Sequence, residues 1–213
     1  MAERTLDRLP EFDERSRRYP VMALIEERRP RARGWPLKTQ LDQGAEGACV
    51  GFAWAHELAA IPRKVAVSDA YARGIYRRAQ QLDPWEGEAY EGTSVLAGAK
   101  AVMEQGHMAE YRWAFGLNEV LLAISYAGPV VLGLDWYRGM MGTDDEGYIH
   151  PTGEKMGGHA IVAIAVHTAT RRVVLQNSWG GNWGDKGRCY LSWEHLGQLL
   201  EQAGECCVPV GRR

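Results

Sequence analysis

Four side chains in this sequence have types and an order suited to acyl transfer: Gln43, Cys49, His159 and Asn177. Cysteine attacks a carbonyl as its thiolate, so it needs surroundings that favour the anion. Cys49 heads the run from Ala48 to Ala60, which is apolar nearly all round and is followed by Pro62. That pattern predicts a buried helix with Cys49 at its N-terminus. The helix dipole there carries about half a positive charge and favours thiolate over thiol. Taken alone, Cys49 reads equally well as a small core residue.

Gln43 stands six positions before Cys49, in a loop that also holds Gly44 and Gly47. A side-chain amide together with the backbone N–H of the nucleophile can form an oxyanion hole. His159 follows Gly157-Gly158 and opens an apolar strand, which sets an imidazole at the strand's mouth. His56, seven positions after Cys49 on the same predicted helix, is a weaker base. Two turns, or about 10 Å of rise, separate the pair. Asn177 ends a predicted strand and leads into Ser178-Trp179-Gly180-Gly181-Asn182-Trp183-Gly184. An amide oxygen at Asn177 can hold one ring nitrogen of His159 and leave the other facing the thiol. Trp179 and Trp183 can shield that bond. Each segment by itself has a plain structural reading; their conjunction carries the chemical one.

The elements that position these groups change character along the chain. Residues 1–36 are charged and punctuated by Pro10, Pro20, Pro30 and Pro36. They predict an extended arm over the body, with a short strand at Val21–Ile25. Helices are expected over Ser68–Gln81, capped by Ser68, and over Thr93–Gln105, capped by Thr93. A short helix is expected over Asn118–Tyr126, and a polar loop over 83–92. Beyond Pro129, strands are expected at Val130–Leu134, Ala160–His167, Arg172–Gln176 and Arg188–Trp193. A short helix near Glu194–Gln202 and an extended tail close the chain. This order predicts an α+β protein in three parts: the arm 1–36, a helical lobe 37–128 and a β-rich lobe 129–213.

Composition narrows the class. The chain has 213 residues, 46% hydrophobic and 24% charged, with a formal net charge of −2. No field for nucleic acid or an anionic membrane follows from that balance. The arginines at 15, 17, 18, 28, 29, 31 and 33 are expected to pair with Glu11, Asp13, Glu14, Glu26 and Glu27. No apolar run reaches a membrane span, and residues 1–7 have no signal-peptide core. Of the four cysteines, Cys189 is expected in the core, and Cys206 and Cys207 near a tail where oxidation could reach them. No CxxC or histidine pair at ligand spacing is present. A cytoplasmic, monomeric protein without metal or cofactor is the expectation.

The sequence resembles the papain family of cysteine peptidases. Gln43-Gly44 through Cys49 with Phe52-Ala53, His159-Ala160, and Asn177-Ser178-Trp179-Gly180 with Trp183-Gly184 and Gly187 carry the match. The resemblance implies a papain-like two-lobe fold, with a helical lobe, a β-barrel-like lobe and the site in the cleft between them. It implies Cys49 as nucleophile, His159 as acid and base, Asn177 as its holder and Gln43 in the oxyanion hole. The sequence departs from the pattern at Val50, where tryptophan is familiar, and at Gly158, where Asp or Asn is common. Glu46-Gly47-Ala48 lacks the cysteine of the secreted members. The stretch before Cys49 is too short for the family's large inhibitory prodomain, so the arm 1–36 is expected to cover the cleft if anything does. Glu91-Gly92-Thr93-Ser94 is the candidate substrate-binding segment. The same residues would serve another acyl transfer (amidase, ligase or transglutaminase-like) or a non-catalytic peptide-binding protein.

Overall fold

The computed structural model describes residues 4–25, 28–85 and 90–213. In chain order it contains helix α1 (Glu14–Arg17), strand β1 (Arg33–Gly34), helices α2 (Cys49–Ala59), α3 (Asp69–Gln80) and α4 (Val95–Glu104), and strand β2 (Glu110–Trp113). Helix α5 (Gly116–Tyr126) follows, then β3 (Val130–Tyr137), β4 (Lys155–His167), β5 (Arg172–Gln176), β6 (Arg188–Ser192), α6 (Trp193–Glu201) and β7 (Glu205–Val210). The sheet is antiparallel, in the order β2-β7-β3-β4-β5-β6. β1 joins β4 at Val166 and Ala165, where β3 has already ended. No described helix is long and apolar enough to cross a membrane.

The sheet separates two cores, and the period of two along each strand decides which residue goes where. Val130, Leu132, Leu134 and Trp136 of β3 and Cys206 and Val208 of β7 pack with α5 and α6. Val131 and Cys207 point the other way, into the core of α2, α3 and α4. Gly133 and Glu205 pair across the strands on that second face, beside Val131 and Cys207. The face turned toward the helices therefore ends in a glycine opposite a carboxylate.

Helix α2 is the central strut, and all its residues are buried. Gly51 lets it lie against α3: a Cβ there would stand 2.4 Å from the Ala72 carbonyl oxygen and 2.7 Å from Tyr76 Cβ. Gly51→Ala is expected to destabilise by about 1–3 kcal/mol, the usual cost of overpacking, read as a lowered denaturation midpoint. An unchanged midpoint would mean that the two helices can separate freely.

Several expectations need correction. Val21–Ile25 is not a strand: Val21–Ala23 form a 3-10 turn after Pro20. The α4 cap is Ser94, whose hydroxyl accepts the Ala97 N–H, and the helix starts one residue later than a Thr93 cap requires. Thr93 instead donates its hydroxyl to Asp83 at 2.6 Å. The passage from helices to strands is also interleaved: β2 pairs with β7, and α5 packs on the sheet. Cys206 and Cys207 are fully buried in β7, out of reach of an oxidant. The loop expected over 83–92 lies partly outside the described residues.

Candidate active site

Cys49 is the first residue of α2, and no side chain caps that helix. The leading N–H groups of a helix have no intrahelical partner, which keeps positive charge near the sulfur. The backbone amides of Ala160 and Asp7 act on the thiol as well, drawing its pKa down against burial. Since Ala160 follows His159 on β4, the thiol and imidazole are brought together by adjacent residues of one strand.

His159 is fully buried. Its Nε2 lies 2.9 Å from Asn177 Oδ1. The same Oδ1 accepts the Ser178 N–H at 2.8 Å, which fixes which end of the amide faces the ring. Oδ1 only accepts, so Nε2 carries the ring hydrogen and Nδ1 keeps its lone pair. Nδ1 has no hydrogen-bond partner. Trp179 lies over the ring at 5.1 Å between centroids, and Trp136 meets it edge-on at 4.6 Å. Trp183 in turn braces Trp179 at 5.2 Å. Trp136 is therefore a wall of the histidine's pocket. Its alternate position on β3, opposite β4, was the signal available.

Gln43 is buried and ties the two sides together. Its N–H donates to the Ser178 carbonyl at 2.9 Å, and its Oε1 accepts the Ser178 hydroxyl at 2.7 Å. Nε2 donates to the Glu46 carbonyl at 2.9 Å and to the Thr5 carbonyl at 3.3 Å. The structure thus brings Gln43, Cys49, His159 and Asn177 to one place.

The N-terminal segment runs through that place. Arg4 pairs with Asp42 at 2.6 Å and donates to the Gly44 and Trp179 carbonyls. The Arg8 N–H donates to the Gly158 carbonyl at 2.8 Å, and the Leu9 N–H to the Thr93 carbonyl at 3.0 Å. Glu11 accepts from Ser94 and pairs with Lys100. A Cβ at Gly157 would stand 2.5 Å from the Leu6 carbonyl oxygen, and one at Gly158 2.2 Å from that of Arg8. The glycine pair before His159 is what lets a peptide chain lie so close. Gly92 has the same relation to Asp7, at 1.9 Å.

Burial sets the protonation of the pair. Burial pushes the Cys49 thiol up to about 11, against the opposing pull of the Ala160 and Asp7 amides. Burial likewise takes His159 down to about 4, against the Asn177 bond and helped by the Arg8 charge. At neutral pH both groups are uncharged.

No protein-family model matches the chain. A cathepsin B-like cysteine proteinase of Schistosoma japonicum is 34% identical over 116 residues, which cover 52% of this chain and 32% of that one. Cathepsin B-like cysteine proteinase 3 of Ostertagia ostertagi is 29% identical over 117 residues, 49% of this chain and 67% of that one. The chain therefore spans about a third and two thirds of these relatives. Among solved structures, xylellain, a cysteine protease from Xylella fastidiosa, superposes with a TM-score of 0.74 at 17% identity, covering 100% of this chain and 99% of that one. The bromelain protease from Ananas comosus, in complex with the E64 inhibitor, gives 0.61 at 16% identity, covering 86% and 100%. The fold is the papain-like two-lobe α+β fold. The chain shares this fold with those proteases and, over about half its length, is similar in sequence to cathepsin B-like cysteine proteinases.

Proposed function

We propose that this chain is a cysteine peptidase that hydrolyses peptide bonds through a thioester on Cys49. The observation that carries the reading is the extended segment already seated in the cleft. Its main chain bonds to Gly158 and Thr93, its Thr5 carbonyl meets the Gln43 amide, and its Asp7 amide draws the Cys49 thiol pKa down. A cleft that holds polypeptide backbone against a thiol and an imidazole suits polypeptide substrates.

The proposed reaction runs through the four grouped residues. His159 Nδ1 takes the thiol proton, and the Cys49 sulfur bonds to the substrate carbonyl carbon. The oxyanion is met by the Gln43 Nε2 hydrogens and the Cys49 backbone N–H. The C–N bond breaks as Nδ1–H protonates the leaving amine. Water then gives a proton to Nδ1 and adds to the thioester; the C–S bond breaks and the thiol regains its proton. Asn177 keeps Nε2–H occupied throughout, so that Nδ1 always faces the reaction.

The test is labelling by an epoxide thiol-peptidase inhibitor, read by peptide mass spectrometry. The protein is the full chain carrying Arg8→Glu, which sets like charges against Glu205 and unseats the covering segment. Selective labelling at Cys49 is expected. His159→Ala should slow it by about 10²–10⁴-fold, the usual worth of a general base. Asn177→Ala should slow it less, because that residue only orients the ring. Equal losses in folded proteins would contradict these roles, and no labelling would remove the nucleophile. Products formed with an added amine tell hydrolysis, which gives the free acid, from transfer, which gives a new amide. Four free, buried cysteines suit a reducing compartment such as the cytoplasm.

A further inference from the structure

The two walls of the cleft differ in what fixes them. Gly158 lies in β4, in register with Asp135 of β3. Thr93 lies in neither a helix nor a strand, one residue before the α4 cap. Yet consecutive residues of the covering segment bond to both walls. The Arg8 N–H donates to the Gly158 carbonyl at 2.8 Å and the Leu9 N–H to the Thr93 carbonyl at 3.0 Å. One step of extended chain spans the gap. The Thr93 carbonyl must therefore stand at a set distance from the sheet, since such bonds weaken beyond about 3.2 Å.

Asp83, just past the end of α3, supplies the fixing. Its Oδ2 accepts the Thr93 hydroxyl at 2.6 Å. Its Oδ1 accepts the Tyr90 hydroxyl at 2.7 Å and the Trp85 N–H at 3.2 Å. Bonds from a hydroxyl to a carboxylate are short and about twice as strong as neutral ones. Helix α3 itself holds the main chain between these points. The Gly92 N–H donates to the Tyr76 hydroxyl at 3.0 Å, and Gln80 Nε2 donates to the Gly92 carbonyl at 3.3 Å. The Thr93 hydroxyl is spent on Asp83, which leaves the main chain as what this residue offers to a bound peptide.

We propose that Asp83 is a positioning residue for the reaction: through the Thr93 hydroxyl it holds the Thr93 carbonyl at the spacing from Gly158 that the main chain of a bound peptide requires. This role rests on the peptidase reading above and assigns the set of that wall to a carboxylate behind it.

The experiment takes the full chain carrying Arg8→Glu as parent and adds Thr93→Val, Thr93→Ser or Asp83→Ala, after circular dichroism has confirmed folding. Valine keeps the Thr93 carbonyl and the side-chain shape but drops the hydroxyl; serine keeps the hydroxyl. With a fluorogenic peptide, Thr93→Val and Asp83→Ala should each raise KM about three- to tenfold, the worth of one hydrogen bond, with kcat within about twofold of the parent. Thr93→Ser should return KM to within about twofold of the parent. Iodoacetamide has no peptide backbone to hold, so it should alkylate Cys49 at the parent rate in all three. Asp83→Ala and Thr93→Val combined should cost no more than either alone, since both cut one tie. If Asp83→Ala does not fold, Thr93→Val and Thr93→Ser carry the test.

An unchanged KM in Thr93→Val would overturn the proposal and leave the peptidase reading standing. So would additive losses, or a fall in kcat together with the iodoacetamide rate. If Cys49 is alkylated but no peptide is cleaved, protection decides: the peptide concentration that halves alkylation should rise by the same factor in Thr93→Val, and an unchanged one sinks the tie. Absence of labelling by the epoxide in the folded parent overturns the peptidase reading and the role of Asp83 with it.

Discussion

Replacing Cys49 with alanine is expected to abolish peptide hydrolysis while the protein stays folded. In the proposed reaction the sulfur is the atom that bonds to the substrate, so its loss leaves no covalent route. The oxyanion donors and the bound backbone alone give only residual rate, and the expected loss is at least about 10⁴-fold in kcat. Cys49 is a small residue at the end of a buried helix, so truncation should cost only about 1 kcal/mol, or roughly 2–4 °C in Tm for a chain of this size. Activity against a fluorogenic peptide and a thermal melt on the same sample check both halves. Residual activity above a trace in the Cys49→Ala protein would assign the nucleophile elsewhere.

Unseating the covering segment should raise the reactivity of Cys49 by about two orders of magnitude. In the covered state its thiol titrates at about 11, against an ordinary value of 9.0, chiefly from burial. At pH 7 that leaves about one thiolate in 10⁴, whereas an ordinary thiol gives about one in 10². Water entering the cleft relieves burial at both groups: the thiol falls toward neutral and the imidazole, held at about 4 under cover, rises. Each shift favours the ion pair. The full chain carrying Arg8→Glu should therefore react with iodoacetamide at Cys49 about 100-fold faster at pH 7. In the unsubstituted chain the rate should climb about tenfold per pH unit up to about 11, because only the anion reacts. Equal rates at pH 7 in the two proteins would show that the segment does not silence the thiol.

Much of the fold was legible because its signals are local. Ser68 caps α3 and accepts the Tyr71 N–H, as the sequence reading had it. The apolar run after Cys49 forms the buried helix, and the strands of the second half lie where β-rich runs predicted them. Other features depend on partners far along the chain. β7 holds five consecutive buried residues, Glu205 to Pro209, so it shows no alternation and reads as a tail. β2 does alternate, with Tyr111 and Trp113 toward the helices, but four residues are too few to stand out. Val21–Ile25 is apolar and β-branched at both ends, yet the turn after Pro20 and the packing of Val21 override that preference. The course of residues 4–11 was the least legible. Arg8 reads as a solvated charge until Glu205, 197 positions later (205 − 8), is placed beside it.

The paired bonds between Gln43 and Ser178 also constrain how the cleft can move. The backbone bond at 2.9 Å and the hydroxyl bond at 2.7 Å fasten the loop before α2 to the loop after β5. A bridge between Asp42 and Trp179 lies alongside. At this end the two halves are stitched, so a breathing motion of the molecule would pivot here and widen at the opposite end of the cleft. A substrate would then slide in from the far rim toward a fixed hinge. The Gln43 amide hydrogen would be among the last in the cleft to exchange with solvent.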